Sequence, residues 1–521
     1  MGKIRANTPV LYDARNNPIP LNRLRGKVRG QARALLSGSG FKSAHDENLM
    51  DWALLPLDIK TILRNDLARL RAQSRDLARN DSTARRFLSL LKQNVIGHGG
   101  IRLQAKNKLP NGKPDSRWND EIEREWDLFS RKRRKRGQFE SPSSCGQLSM
   151  REIAWLALLT RAVDGECFIQ VLRGYPHNRH KFAVRFLNPD LIDSSYCIEK
   201  ENGNRIEMGI EFDRFDRPVA YHFSEDHPNR KYLKGNAKKM RIPADQIIHI
   251  FRQEYVGQIR GIPDFAAVMH KTKMLNGVHE AVVVGWRVAA AKMGFFVSKD
   301  PDDIYEDHDD DAPTEKSFPG SVMDATPGSF DMVPDGYDLK TFDPEYPSST
   351  FESGHKVFMQ VLASGLNVSS PTLSNNYESV NYSSLRQALL EDREGWRCVQ
   401  AEMIEGFYQP VFDDWYDWSV NILGLIKNSN SKSKIDYEPR IVWQPRGWPW
   451  VDPLKEVNAH EKAVDAKFRT RQSVMAETSG ADFFDTVDAL AEEKEALESR
   501  GLVNASEKIE TVMPDEVENV I

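Results

Sequence analysis

The stretch NVSSPTLSNNYESVNYSSLRQALLEDREGWRCVQAEMIEGFYQP, residues 367–410, changes character at Tyr382. From Asn367 to Asn381 the residues are polar and show no hydrophobic period, so they read as a loop. Beyond it Leu385, Leu389, Trp396, Val399, Met403 and Phe407 recur every three, four or seven residues, which places one apolar stripe on a long helix. Pro410 lacks the amide that a helix interior needs and is expected to close that helix. Upstream, Ser349 and Glu352 have capping-box spacing and open a helix through Phe351, Phe358, Val361 and Leu362 that stops at Gly365. The loop is therefore pinned between two helices.

A second helix-bounded insertion lies further upstream. Pro263 suits a first helical turn and no proline follows until after Met293, so 263–293 reads as one helix, roughly 45 Å long at 1.5 Å per residue. Lys271, Lys273, Arg287 and Lys292 interrupt its Val, Ala and Met residues, so it is too polar to be buried all round. Between this helix and the one at 349 come a short apolar strand (Phe295–Val297), the acidic run PDDIYEDHDDDA (301–312) and several Pro/Gly turns up to Pro347. That insert reads as a small, loop-rich projection.

The preceding block mixes both periodicities. DSTARRFLSLLKQNVIGHGG (81–100) is a helix capped by Asp81 or Ser82 and ended at Gly97, with a stripe of Ala84, Phe87, Leu88, Leu91 and Val95. A strand follows at Ile101–Ala105, then a helix carrying Trp118, Ile122, Trp126 and Phe129, then one opened by a Ser149/Glu152 capping box and running through Ala162. Strand-like runs come next: ECFIQVL (166–172), FAVRFLNPDLI (182–192), RIEMGIEFDRFDRPVAYHF (205–223) with a turn at Asp213–Asp216, and IIHIF (247–251). The fold class is α+β. A tryptophan-dense segment (Trp415, Trp418, Trp443, Trp448, Trp450) and a helical region from Pro453 complete the chain. Packed structure is expected to begin near Trp52, behind an N-terminal arm that orders late or on assembly.

The 521 residues carry 72 basic and 76 acidic side chains, a net charge of −4, so no overall cationic character advertises a tight grip on nucleic acid. The charge is uneven, however. Residues 1–40 hold eight Lys or Arg against one Asp, and residues 477–521 hold three basic against thirteen acidic residues. The run RKRRKR (131–136) and the acidic run at 301–312 read as solvated loops. Four scattered cysteines without a CxxC pair argue against a zinc site or a disulfide scaffold, and suit a reducing cytosol. No apolar run is long enough to cross a bilayer, so no membrane association is expected, and no secretory signal is seen.

Catalytic constellations are missing from the sequence. GSGFKS (38–43) lacks the spacing of a phosphate loop, and His279–Glu280 lacks the second histidine of a zinc protease motif. Asp302, Asp303 and Asp309–Asp311 are contiguous acids in a Pro/Asp loop, without the rigid scaffold that two-metal chemistry needs. GHGG (97–100) reads as a helix terminus, not an anion cradle. The expectation is no enzyme, no cofactor and no metal.

Several segments, in order, resemble the lambda-type tailed-phage portal protein family. They are NDSTARRFLSLLKQNVIGHGGIRLQ (80–104), AVDGECFIQVL (162–172), IEFDRFDRPVAYHF (210–223), IPADQIIHIFRQEYVGQIRGIPDFAAVM (242–269), NYSSLRQALLEDREGWRCVQ (381–400) and WPWVDPLKE (448–456). No single segment is diagnostic; their order over some four hundred residues is what identifies the resemblance. It implies a portal fold with a mixed α/β wing, a helical stem, a small loop-rich clip and a helical crown, assembled as a ring of twelve. Laid on this chain it divides residues 1–51 (basic arm), 52–261 (wing), 262–294 (stem helix), 295–347 (clip), 348–366 (stem helix), 367–381 (tunnel loop), 382–452 (long helix and Trp-rich wing/crown connection) and 453–521 (crown and acidic tail).

The resemblance also implies a function: a head-to-tail connector at one capsid vertex of the virion, assembled in the host cytoplasm, through which double-stranded DNA is packaged and ejected without sequence specificity. Asn375, Asn376, Tyr377, Asn381, Tyr382 and Ser383 would face DNA, and their uncharged side chains suit sliding contact better than readout. Lys271, Lys273, Arg287 and Lys292 are channel candidates in the stem, where inter-subunit pairing is an equal reading. Asp302, Asp303, Asp309, Asp310 and Asp311 of the clip would dock the terminase large subunit or head-completion adaptor proteins. Major capsid and scaffold proteins are further implied partners. Two rival readings remain at this point, a terminase subunit and a non-ring capsid or scaffold component.

Overall fold

The computed structural model describes residues 57–109, 111–112, 115–135, 138–200, 203–224, 239–290, 294–298, 337–341, 348–378, 380–425, 439–448, 453–478 and 483–502. The N-terminal arm, Trp52, the acidic run at 301–312 and the last nineteen residues lie outside them.

The chain opens with α1 (Ile59–Asn80), a helix for which no sequence expectation was formed, because its apolar positions are diluted by arginines. α2 (Ser82–Leu91) follows as expected: Asp81 caps it by accepting from the Ala84 amide at 2.7 Å. A wider π-type turn (Lys92–Ile96) then closes on Gly97, whose φ of +69° suits glycine. β1 (Arg102–Ala105) and α3 (Ser116–Ser130) come next. The basic run 131–136 is only partly a loop, because Arg133–Lys135 forms β2 and pairs with β3 (Gln138–Glu140). Three of its six charges meet a counter-ion among the described residues, Arg131 at Asp127, Lys132 at Glu152 and Arg133 at Glu140, which favours extending this stretch as a hairpin.

α4 (Met150–Asp164) starts with the expected capping box at Ser149 and Glu152. It delivers the chain into β4 (Glu166–Arg173) and β5 (Phe182–Leu187). A meander β6 (Ile198–Glu199), β7 (Arg205–Glu207), β8 (Ile210–Phe212), β9 (Pro218–Ser224) and β10 (Lys239–Pro243) leads to β11 (Ile247–Phe251). Two antiparallel sheets result, ordered β11-β4-β5 and β10-β9-β8-β7-β6, with the expected hairpin turn at 213–216. Phe168, Ile210, Tyr221, Phe223 and Ile242 fill the space between them.

The next helix, α5 (Met269–Ala290), begins six residues later than the Pro263 reading required. Residues 263–268 form tight turns instead, with Ala266 donating to Pro263 and Val268 to Phe265. Those turns aim Phe265 and Val268 into the core and let Asp264 pair with Arg161, gains that outweigh one more helical turn. β12 (Gly294–Ser298) pairs antiparallel with β13 (Tyr337–Thr341), so the insert stands on a two-stranded base. α6 (Ser348–Gly365) returns beside α5. The side chains of Ser349 and its neighbours lie outside the description, so its capping box does too.

After the short α7 (Ser370–Ser374), α8 (Tyr382–Met403) starts where expected, capped by Asn381. Pro410 does not end the helical run. A π-type turn at Ile404–Tyr408, closed by Gln409 donating to Ile404, widens the helix just before the proline, and α9 (Gln409–Tyr416) continues. The missing Pro410 amide then falls in the first turn of α9, where a proline is tolerated.

β14 (Ile441–Gln444) pairs with β1, tying the C-terminal segment back to residue 102. Trp126, Phe129, Phe412, Trp415 and Trp443 cluster where α3, α9 and β14 meet, with the Trp126 and Trp415 rings 5.1 Å apart. Edge-to-face pairs of this kind add about 0.5–1.5 kcal/mol each beyond area burial. α10 (Pro453–Asp465), α11 (Arg471–Thr478) and α12 (Phe483–Ser499) complete the described chain.

Candidate functional site

The loop that opened the sequence reading is built from both ends. At the end of α6, Gly365 leaves room for the chain leading into α5: a Cβ there would sit 2.4 Å from the Val268 methyl. Asn367 turns through φ +54°, and Leu366 and Val368 drop into the core. The reading of 367–381 as uniformly irregular is corrected by α7, which Ser369 precedes and Pro371 primes, with Thr372 and Leu373 buried. Ser-Ser-Pro is a helix-start signature, and this is the signal that could have revealed it. Asn375 ends α7 at φ +57°, a conformation that Asn tolerates better than most residues.

Beyond Asn375 the side chains face solvent. Asn375, Asn376, Tyr377, Asn381, Tyr382 and Ser383 are all exposed, Tyr377 by 42% and Tyr382 by 58%. The first three turns of α8 project as well. Leu385 and Leu389 are only half-buried and Leu390 is exposed, whereas Asp392, Trp396, Val399, Gln400 and Met403 are buried. The apolar stripe thus has a packed half and an unpacked half. Such a tip can hydrogen-bond and stack, and its six candidate residues carry no charge with which to neutralise a phosphate; in sequence, Glu378 and Arg386 are the charged groups nearest to them.

The basic candidates on α5 do not form one group. Lys271, Lys273 and Arg287 are exposed, while Lys292 lies outside the described residues. At about 100° per residue, Lys273 and Arg287 share a face within about 40°, and Lys271 lies roughly 160° away. The five clip aspartates, Asp302, Asp303 and Asp309–Asp311, are outside the described residues.

α5 and α6 meet through His279 and His355, whose Nε2 and Nδ1 are 3.0 Å apart, with Phe351 stacked on His355 and Trp286 edge-on to Phe351. Burial, reinforced by His279, pushes His355 below the usual imidazole range. Around this joint the pair is unusually bare: Met274, Val278, Val283, Val284 and Trp286 on α5 and Val357, Phe358 and Val361 on α6 are exposed. Among the described residues no group of three or more His, Cys, Asp or Glu could hold a metal ion, and no helix is long and apolar enough to cross a membrane.

The body that carries these parts has its own charged centre, which sequence reasoning missed. Gly165 ends α4 at φ +86° and lets Gly261 pass so closely that a Cβ on either would meet backbone within 2.6 Å. That approach brings Arg260, entirely buried, onto Glu166: its Nε lies 2.9 Å from both carboxylate oxygens. Arg71 of α1 pairs with the same carboxylate, and His249 lies 3.1 Å away. Burial would raise the Glu166 carboxyl, but the Arg260 and Arg71 guanidiniums outweigh it and hold it well below the usual carboxylate range. A single Glu in a strand gives no hint of this, because its partners come from 94 and 95 residues away.

Comparison with known proteins agrees with the resemblance. The family described as phage portal protein, lambda family, matches residues 45–400. The chain is 27% identical over 502 residues to the probable portal protein of Halomonas phage phiHAP-1, covering 96% of this chain and 91% of the relative. It is 22% identical over 477 residues to portal protein B of Escherichia phage lambda, covering 84% and 85%. Among solved structures it is similar to a chain of the neck of an empty GTA particle computed with C6 symmetry, at 14% identity and a TM-score of 0.45, covering 79% of this chain and 93% of that one. A chain of the native GTA neck computed with C12 symmetry gives 12% identity and a TM-score of 0.39, covering 79% and 92%. Overlays this loose carry no argument about architecture. The family match over more than half the chain does carry one, and this chain belongs to the lambda family of phage portal proteins.

Proposed function

We propose that the chain is a non-enzymatic structural subunit of a closed ring at one vertex of the virion capsid, and that double-stranded DNA passes through this ring during packaging and ejection. The observation that carries the ring is the bareness of the α5–α6 pair. Eight large apolar side chains there are exposed, among them Trp286 at 51% and Phe358 at 46%, and they fall together along one pair of helices. Isolated exposed apolar residues are ordinary, but a run of them along paired helices is an interface waiting for a partner. A second copy on each flank covers them without new chemistry, and head-to-tail contacts of this kind close into a ring.

Within that reading, residues 52–261 serve as wing, α5 and α6 as stem, and residues 295–347 as clip. Residues 367–381 form the tunnel loop, α8 to residue 452 connects wing and crown, and residues 453–521 form the crown with an acidic tail. The exposed loop tip, where Glu378 is the one charged residue between Asn375 and Ser383 and no cation is present, suits DNA that must slide. A ring of cations there would add phosphate contacts that hold the duplex instead. The acidic clip run suits docking of a terminase large subunit and, later, of head-completion proteins, with charge complementarity steering the encounter.

Imaging the purified full chain and measuring its mass tests the central point. The expected result is a closed ring with an opening of duplex width or more. A monomer that persists under assembly conditions overturns it. For the clip, changing Asp302, Asp303 and Asp309–Asp311 to Asn should weaken motor binding in a salt-sensitive way, and affinity that is unchanged across salt concentrations rejects that assignment.

A further inference from the structure

The segment between α6 and α8 has two halves that are held very differently. In the first, Ser369, Thr372 and Leu373 are tied to the body. The Asp392 carboxylate accepts from the Ser369 amide at 2.7 Å, the Ser369 hydroxyl at 2.7 Å and the Thr372 hydroxyl at 2.8 Å. From the other side Arg86 of α2 donates to the Thr372 carbonyl through Nε at 3.3 Å and Nη2 at 3.2 Å, and reaches the Asn375 side chain at 3.4 Å. Val368, Thr372 and Leu373 are buried. In the second half, Asn376, Tyr377 and Glu378 are exposed, and among the described residues the hydrogen bonds stay local: Asn376 to Ser374, Glu378 to Asn376, Val380 to Tyr377.

Asp392 also marks the place where α8 leaves the body. It is the first buried residue of that helix, and everything before it is exposed or half-buried. A buried carboxylate is stable only with its lone pairs filled, and these three donors fill them. We propose that Asp392, with Arg86 opposite, is a positioning residue that clamps residues 369–375 to the body and leaves only the five positions before the Asn381 cap outside the clamp. Five residues span at most about 17 Å when extended, so the clamp sets how far the tip can follow or press on whatever lies beside it. The consequence for DNA rests on the proposed function; the clamp itself does not.

Hydrogen exchange on the assembled full-length protein separates the two. With Asp392→Ala, amides of residues 369–375 should exchange at least tenfold faster while those of Trp396–Met403 stay unchanged. Asp392→Asn should recover part of the protection, since its side-chain oxygen can still accept from the Ser369 amide. The double variant Ser369→Ala/Thr372→Val, which leaves the carboxylate in place, should loosen the same stretch to a smaller degree. Unchanged exchange at 369–375 in Asp392→Ala overturns the clamp, and so does loosening that spreads equally through Trp396–Met403. The same variants in a packaging reaction read the second step. A loosened loop that lowers the DNA retained supports both ideas, whereas a loosened loop with normal packaging and retention keeps the clamp and rejects the DNA-facing role.

Discussion

Two regions of this molecule solve the problem of burying side chains in opposite ways. The α+β body takes charged groups inside and pairs them: Glu166 with Arg71 and Arg260, Asp264 with Arg161, Glu211 with Arg241 and Lys200. The α5–α6 pair and the first turns of α8 leave apolar groups outside, including Trp286, Phe358 and Leu390. A chain that functioned alone would have little reason for the second arrangement. The body is completed by its own contacts, and on the proposed reading the helix pair is completed by a second copy.

The sharpest way to break this contrast is to cut the body's charged centre. Glu166→Ala leaves Arg71 and Arg260 buried without their shared counter-ion, which costs about 3–5 kcal/mol. Chemical denaturation of a dissociated, soluble form should show that loss. A change below about 1 kcal/mol would mean that water reaches the cluster and that the body is less dry than described. On the other side of the comparison, Val278→Asp should leave the folding transition within about 0.5 kcal/mol, because Val278 is 43% exposed, yet should prevent association by placing a charge in an apolar contact. A ring that still forms normally would move the interface elsewhere.

Acidity should loosen both the body and the joint between the bare helices. Burial lowers His180, His222 and His249 below the ordinary value of 6.5, and His355 at the helix joint is lowered too. Between 6.5 and those lower values the unfolded chain binds more protons than the folded one, so stability falls as pH drops through that window. Glu166 and Glu211, held down by their cationic partners, add a second loss below 4.5. A denaturation midpoint that is flat from pH 7 to pH 5 would contradict the first part. Replacing His355 with Gln should remove its share without touching that of the body.

How much of this was legible in the sequence follows the same divide. Local signals worked: the Asp81 cap, the Ser149/Glu152 capping box, the hairpin at 213–216 and the start of α8 all depend on residues within a few positions of one another. Long-range arrangements did not. The Glu166 cluster, the Gly165–Gly261 contact and the bonds of Asp392 to Ser369 and Thr372 join residues 20 to 96 positions apart, and no periodicity records them. Pro263 and Pro410 misled for the same reason: packing of Phe265 and the π-type turn before Pro410 overrode a sound local rule. The six residues proposed to face DNA share one exposed tip, while Lys271 lies on a different face of α5 from Lys273 and Arg287.

A cap that also reaches across the divide gives a smaller and more local effect. Asp81 caps α2 and, through its second oxygen, accepts from Asn276 of α5 at 2.9 Å. Asp81→Ala should cost about 1 kcal/mol from the cap. Asn276→Ala should cost less and loosen only the foot of α5. Equal costs would mean that the link to α5, not the cap, is what Asp81 provides.

The smallest effect belongs to the most conspicuous charges in the sequence. Within RKRRKR, Lys132 pairs with Glu152 at 2.6 Å on the surface, and its side chain is 48% exposed. An exposed pair of this kind contributes roughly 0–1 kcal/mol, and salt screens what remains. Lys132→Gln should therefore change stability by less than about 0.5 kcal/mol, with the difference vanishing in high salt. Glu152 is a different matter. Its carboxyl is pulled down to about 2, against the upward push of burial, by Lys132 and by the Ser149 amide and hydroxyl of the capping box. Glu152→Ala should cost more than Lys132→Gln, because only the glutamate holds the start of α4, and that excess should survive high salt. If both variants behave alike and both effects disappear with salt, then the run acts as a single screened patch, and the pairings that turn it into a hairpin contribute nothing to the fold.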